Sequence, residues 1–153
     1  MRLIRLTSTI PLPTIPLGGL QTDDEITMIG WGSGKSWGFN TIEVEPINVF
    51  GSGRNSASAW TDYDSATIGE GQGISGDSGG GAFYQDNGTW TLGGIFIGIG
   101  SLTMGGQNGT FFSDLDFYTP EINNIIATQG SAIPEPANLA VLGLAIFLRR
   151  RRK

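Results

Sequence analysis

At 153 residues, with 25 glycines, 15% charged and 39% hydrophobic residues, the chain has room for one domain of ordinary size, built from short strands and turns. It contains no cysteine and no histidine, which excludes a disulfide framework, thiolate metal sites, and the commonest catalytic base and metal ligand. Residues 1–132 hold four Lys/Arg (Arg2, Arg5, Lys35, Arg54) against thirteen Asp/Glu, an acidic body with no basic face for a nucleic-acid partner, whereas residues 133–153 hold five against one, Glu135.

The opening twenty residues carry Arg2 and Arg5 ahead of mildly apolar positions. Pro11, Pro13 and Pro16 break the apolar run a signal peptide needs, so the segment is not read as one. Gly32-Ser33-Gly34-Lys35-Ser36 reads as a turn that leaves Lys35 solvated, with the base of a Ser-Lys dyad the alternative. Further on, a polar glycine loop from Glu70 to Ser75 leads into Gly76-Asp77-Ser78-Gly79-Gly80. These five residues satisfy the G-x-S-x-G nucleophile elbow, but an elbow follows a buried apolar strand and opens a helix. Here a loop precedes, and Gly81–Tyr84, Asp86-Asn87-Gly88 and Thr89–Leu92 read as strand, tight turn, strand, with Asn-Gly supplying positive φ. The elbow is therefore set aside.

Thr119-Pro120-Glu121 followed by apolar residues at 122, 125 and 126 predicts a short helix over 119–127, with Thr119 as cap and Pro120 at the first helical position. The tail then runs Pro134-Glu135-Pro136, twelve apolar-rich residues from Ala137 to Leu148, and Arg149, Arg150, Arg151, Arg152 and Lys153. Twelve residues fall short of the roughly 20 that span a bilayer, while the terminal cations favour the cytoplasmic side. Two units follow: 1–130, all-β, and the tail, 131–153.

The tail resembles the PEP-CTERM sorting signal of exopolysaccharide-producing Gram-negative bacteria. The resemblance implies a short hydrophobic helix transiently anchored in the inner membrane, cleavage near Pro134-Glu135-Pro136 by an exosortase, and delivery to the cell surface or extracellular matrix.

Gly76–Gly80 in its loop-then-hairpin setting resembles the nucleophile loop of the trypsin and chymotrypsin family. Three other segments are similar to parts of that family: Thr27–Gly32, ending in Gly-Trp-Gly, to the first strand of its second barrel; Trp90–Ile95 to the strand after the serine hairpin; and the helix near 119–127 to the one that closes the domain. The resemblance covers about Leu3 to Ala127 and implies the second six-stranded antiparallel barrel of the chymotrypsin-like fold. It implies Ser78 as nucleophile of a serine endopeptidase and the N–H groups of Gly76 and Ser78 as oxyanion hole. Asp77 would be the partner of the new N-terminus after zymogen cleavage, and Gln72 would lie at the base of a neutral substrate pocket. No cofactor or metal is implied.

Gly81 departs from the family's usual proline, and Ile97–Gly100 lacks its usual Ser-Trp-Gly. The histidine and aspartate of a triad cannot be placed. Arg2–Leu6 resembles the strand that follows the family's catalytic aspartate, so the chain as given is expected to be inactive alone and to expose an apolar face where a first barrel packs. The alternative is a non-catalytic surface or matrix protein that uses the barrel as a binding scaffold.

Smaller signals take structural readings. Asn87-Gly88-Thr89 and Asn108-Gly109-Thr110 match the glycosylation sequon but read as turns. Asp62, Asp64, Asp114 and Asp116 read as solvated loop carboxylates, with calcium ligation the alternative. Trp31, Trp37, Trp60 and Trp90 read as core and barrel-edge packing, with a sugar-stacking platform the alternative.

Overall fold

The structure, a computed structural model, describes residues 13–51, 54–103 and 106–129. The chain divides into two compact units after Pro120. The first unit contains one antiparallel sheet of seven strands: β1 (Glu25–Gly30), β2 (Ser36–Thr41), β3 (Val44–Gly51), β4 (Arg54–Asp62), β5 (Gly81–Asp86), β6 (Thr89–Gly100) and β7 (Gly109–Asp114). Their order is β2-β1-β5-β6-β7-β4-β3, so the ladder is open, with β2 and β3 at its ends. All-β architecture is as the sequence predicts. Val44–Gly51, to which the sequence reading assigns no element, makes a seventh strand where six are expected, pairing with β4 across a bulge between Val44 and Ile47.

Alternation along the strands selects the core. On β1, Ile26 and Met28 point inward while Glu25 and Ile29 point out, the period-2 pattern of a half-buried strand. Leu20, Ile42, Ala59, Ala82, Phe96 and Phe112 complete the cluster, and Tyr84 packs on it. Phe112 lies opposite Ala59 on β4 and Phe96 on β6, with the two phenylalanine rings edge to face at 6.1 Å. This T-shaped arrangement suits the aromatic quadrupoles.

The β5–β6 hairpin forms as its Asn-Gly demands: Asn87 and Gly88 both have positive φ, 49° and 80°, the signature of a type I′ turn. Although β2 and β4 do not pair, Asn40 Nδ2 on β2 donates to the carbonyl of Asp62 at the end of β4, at 2.7 Å. The same amide donates to the carbonyl of Gly71 at 2.9 Å, tying both strands to the loop that carries Gln72 and Ser78.

Helix α1 spans Leu115–Gln129, which corrects the expected start at Thr119. The cap is Asp114: its Oδ1 accepts the N–H of Asp116 at 3.1 Å and that of Leu20 at 3.4 Å. Asp-Leu-Asp directly after a strand is itself an initiation signal, and it lies upstream of the Thr-Pro pair. Thr119 instead donates its hydroxyl back to the Leu115 carbonyl at 2.9 Å, and Pro120 sits inside the helix, where it cannot bond to the Asp116 carbonyl. In the second unit, only residues 121–129 of this helix are described; Ile122 is buried and Ile126 exposed. Among the described residues no helix is long and apolar enough to cross a membrane. Pro134, Glu135, Pro136 and Arg149 to Arg152 of the sorting-signal expectation lie outside the described residues, as do the predicted hydrophobic helix and the Arg2–Leu6 strand.

Candidate functional site

The Gly-Trp-Gly and Gly-Asp-Ser-Gly-Gly segments pack as one unit. Asp77 is buried, and its carboxylate takes two backbone donors: Gly32 N–H to Oδ1 at 2.5 Å and Ile74 N–H to Oδ2 at 2.9 Å. A Cβ on Gly30 would collide with that carboxylate, and one on Gly32 would press on Ile74, the Ser75 carbonyl and Asp77 Oδ1 at 2.8–3.0 Å. Asp77 therefore requires the glycine before Trp31, and the whole turn from Ile74 to Asp77 requires the one after it. Gly76 has φ 102° and passes so close to Gly32 that its Cβ would stand 2.8 Å from the Gly32 Cα. Only glycine meets both conditions there.

The loop is pinned at several points. Gly71 N–H donates to the Phe39 carbonyl at 2.6 Å, and Gly73 N–H to the Thr110 hydroxyl at 3.0 Å. After the serine, Gly79 N–H donates to the Phe96 carbonyl at 3.0 Å, and Phe96 N–H returns to the Gly80 carbonyl at 2.8 Å. Within the loop, Asp77 N–H reaches the Ile74 carbonyl at 3.1 Å and Gly80 N–H the Asp77 carbonyl at 2.8 Å. The N–H groups of Gly76 and Ser78 make no hydrogen bond among the described residues. They are the two donors that the sequence resemblance assigns to an oxyanion hole.

Ser78 is exposed and lines an open groove of about 560 Å³ with Ile29, Trp31, Lys35, Gly76 and Phe83. Lys35 is exposed in the β1–β2 turn, as expected, and it lines the same groove as the serine. Trp31 and Lys35 belong to the turn whose glycine Asp77 holds. Gln72 is not in this groove. It lines a cavity of about 100 Å³ with Met28, Trp37, Phe96 and Phe112, so the structure does not bring it and Ser78 to a common cavity.

A third groove, of about 680 Å³, is lined by Asp23, Asp24, Glu25 and Glu70 with Phe39, Tyr84 and Trp90. No group of three or more acidic side chains positioned to hold a metal occurs among the described residues. The aspartate pairs are not uniformly solvated: Asp64 is exposed and accepts the Ala66 N–H, whereas Asp114 is buried as the helix cap. Burial raises the Asp114 carboxyl above the ordinary aspartate range, against the lowering effect of the Asp116 and Leu20 N–H groups. Burial also raises Glu45, helped by the nearby charges of Asp114 and Asp24.

The expectation of packed tryptophans holds only for Trp60, which is 7% exposed and donates its ring N–H to the Gly100 carbonyl at 3.2 Å. Trp31 and Trp37 are 70% and 68% exposed, and Trp90 is exposed as well. Trp31 lies beyond the paired part of β1, and Trp37 and Phe39 lie on the edge strand β2, where no further strand covers them.

No family model matches the chain, and none of the curated proteins compared with it is significantly similar.

Proposed function

We propose that the chain is the second-barrel half of a trypsin-like serine endopeptidase, with Ser78 as the acyl-forming nucleophile and the Gly76 and Ser78 N–H groups as the oxyanion hole. The observation that carries this is the loop's division of donors. Asp77, Gly79 and Gly80 spend their N–H groups on the loop's own architecture, while those of Gly76 and Ser78 are left unpaired among the described residues, beside an exposed hydroxyl. The barrel reading is supported by the strand order: without β3, six strands run β2-β1-β5-β6-β7-β4, and Asn40 bridges from the first to the last. Asp77, assigned by resemblance to zymogen activation, would act by holding the loop against Gly32.

The sequence holds no histidine and Lys35 is solvent-exposed, so this reading takes the base for the serine proton from chain outside these 153 residues. The tail's resemblance to a sorting signal supports export, exosortase cleavage and a cell-surface location for the mature protein. The test is the intact mass and N-terminal sequence of the native protein recovered from its own cells. A species longer at its N-terminus and containing a histidine, with Ser78 labelled by a fluorophosphonate, is the expected result. A mass at or below that of the 153-residue chain, with Ser78 unlabelled, overturns it. The missing histidine specifically favours the second reading, a non-catalytic surface or matrix protein using the same groove to bind.

A further inference from the structure

The ionisable groups of the Ser78 groove balance in charge, unlike the acidic body that surrounds it. Among its lining residues the ionisable groups are Lys35 and Asp77. Both Asp77 oxygens are occupied by the N–H groups of Gly32 and Ile74, and the residue is buried, so its carboxylate is committed inward. What the groove offers a ligand is an ammonium group, two backbone N–H groups that make no hydrogen bond among the described residues, and the Ser78 hydroxyl. Positive φ at Gly76 and Gly79, 102° and 89°, brackets those donors in the kind of turn that makes an anion-binding concavity. Ile29, Trp31 and Phe83 supply an apolar wall to the same groove.

We propose that this groove recognises a free carboxylate adjoining an apolar side chain, the chemistry of a peptide C-terminus ending in a large apolar residue. The carboxylate accepts from the Gly76 and Ser78 N–H groups and pairs with Lys35, and the terminal side chain lies against Trp31 and Phe83. Charge-assisted bonds from backbone N–H groups carry the recognition, while the exposed lysine adds selectivity for an anion over an amide.

The inference rests on the same two donors as the endopeptidase reading, but it requires no base and no reaction at Ser78. The experiment is a two-dimensional amide NMR titration of the full chain with N-acetyl-Ala-Phe as the free acid and, separately, as its C-terminal amide. The acid is expected to shift the Gly76 and Ser78 amide signals with at least tenfold higher affinity than the amide. Lys35→Gln should weaken the acid by about two- to fivefold and leave the amide unchanged. Equal affinity for acid and amide, or no shift at either amide in a folded chain, overturns the proposal. Acid binding together with an unlabelled Ser78 in the native protein leaves this inference standing and removes the endopeptidase. Fluorophosphonate labelling with no acid preference does the reverse.

Discussion

Two buried carboxylates do different work in this protein, and each leads to a prediction. Asp77 satisfies two backbone donors, from Gly32 and Ile74. Asp77→Ala leaves both unpaired at roughly 1–3 kcal/mol each, so urea denaturation should give a loss of about 2–4 kcal/mol. A loss under about 0.5 kcal/mol, the scale of an ordinary surface change, would show that the carboxylate does not hold the loop. Asp114 caps α1 and carries a raised carboxyl, chiefly from burial. Because its folded-state pKa lies above the unfolded value, the folded state binds the proton more tightly. Stability therefore increases as pH falls through the folded pKa, and the gain is complete below the unfolded value of about 4. Glu43, raised by burial and then by Asp62, Asp23 and Glu70, and Glu45 act in the same direction. The thermal midpoint should be higher at about pH 5 than at about pH 8, and Asp114→Asn should shrink the difference while keeping the cap. Asp114→Ala should cost about 1 kcal/mol through loss of the cap, and more at the lower pH, where the wild type also gains from binding the proton. A midpoint that falls steadily on acidification over this range contradicts the assignment.

At the level of single elements, the sequence is most legible where one residue type has one physical solution. Asn87-Gly88 announces its turn because both residues must take positive φ, and the serine loop announces itself as neither strand nor helix through its glycines. The helix start is not legible because two initiation signals compete within eight residues, Asp114-Leu115-Asp116 and Thr119-Pro120-Glu121, and only tertiary placement of Leu20 N–H on Asp114 selects the first. That difference is testable. Pro120→Ala restores a bond to the Asp116 carbonyl and should stabilise the protein by about 1–3 kcal/mol, whereas a helix beginning at Pro120 would gain nothing or lose. Strand β3 has no counterpart in the sequence reading; it carries Pro46, which an outer strand tolerates. In the candidate site, the motif is enough to nominate Ser78 and the two oxyanion donors. The convergence of Lys35 and Trp31 on them depends on Asp77 reaching across to Gly32, a contact between residues distant in sequence.

For the first unit, four exposed large apolar side chains, Ile29, Trp31, Trp37 and Phe39, belong to β1, β2 and the turn between them, with Ile29 directly opposite Trp37. A face of this composition favours association. Trp37→Ser combined with Phe39→Ser should raise the concentration at which light scattering detects oligomers by several-fold with little change in thermal midpoint, since both residues are more than half exposed. An unchanged threshold would mean that this face does not drive association. Phe112→Ala is the opposite kind of change: removing a ring that is 1% exposed at the centre of the cluster should cost about 3–5 kcal/mol, a large share of the stability of a domain of this size.

The uneven burial of the four tryptophans also fixes what the protein looks like to light. With Trp31, Trp37 and Trp90 already in water and Trp60 alone enclosed, native emission is dominated by hydrated indoles at long wavelength. Unfolding then changes the colour of one emitter in four, and a collisional quencher reaches the other three while the protein is still fully folded. Intrinsic fluorescence is therefore a poor gauge of this fold and a good one of whatever covers its surface.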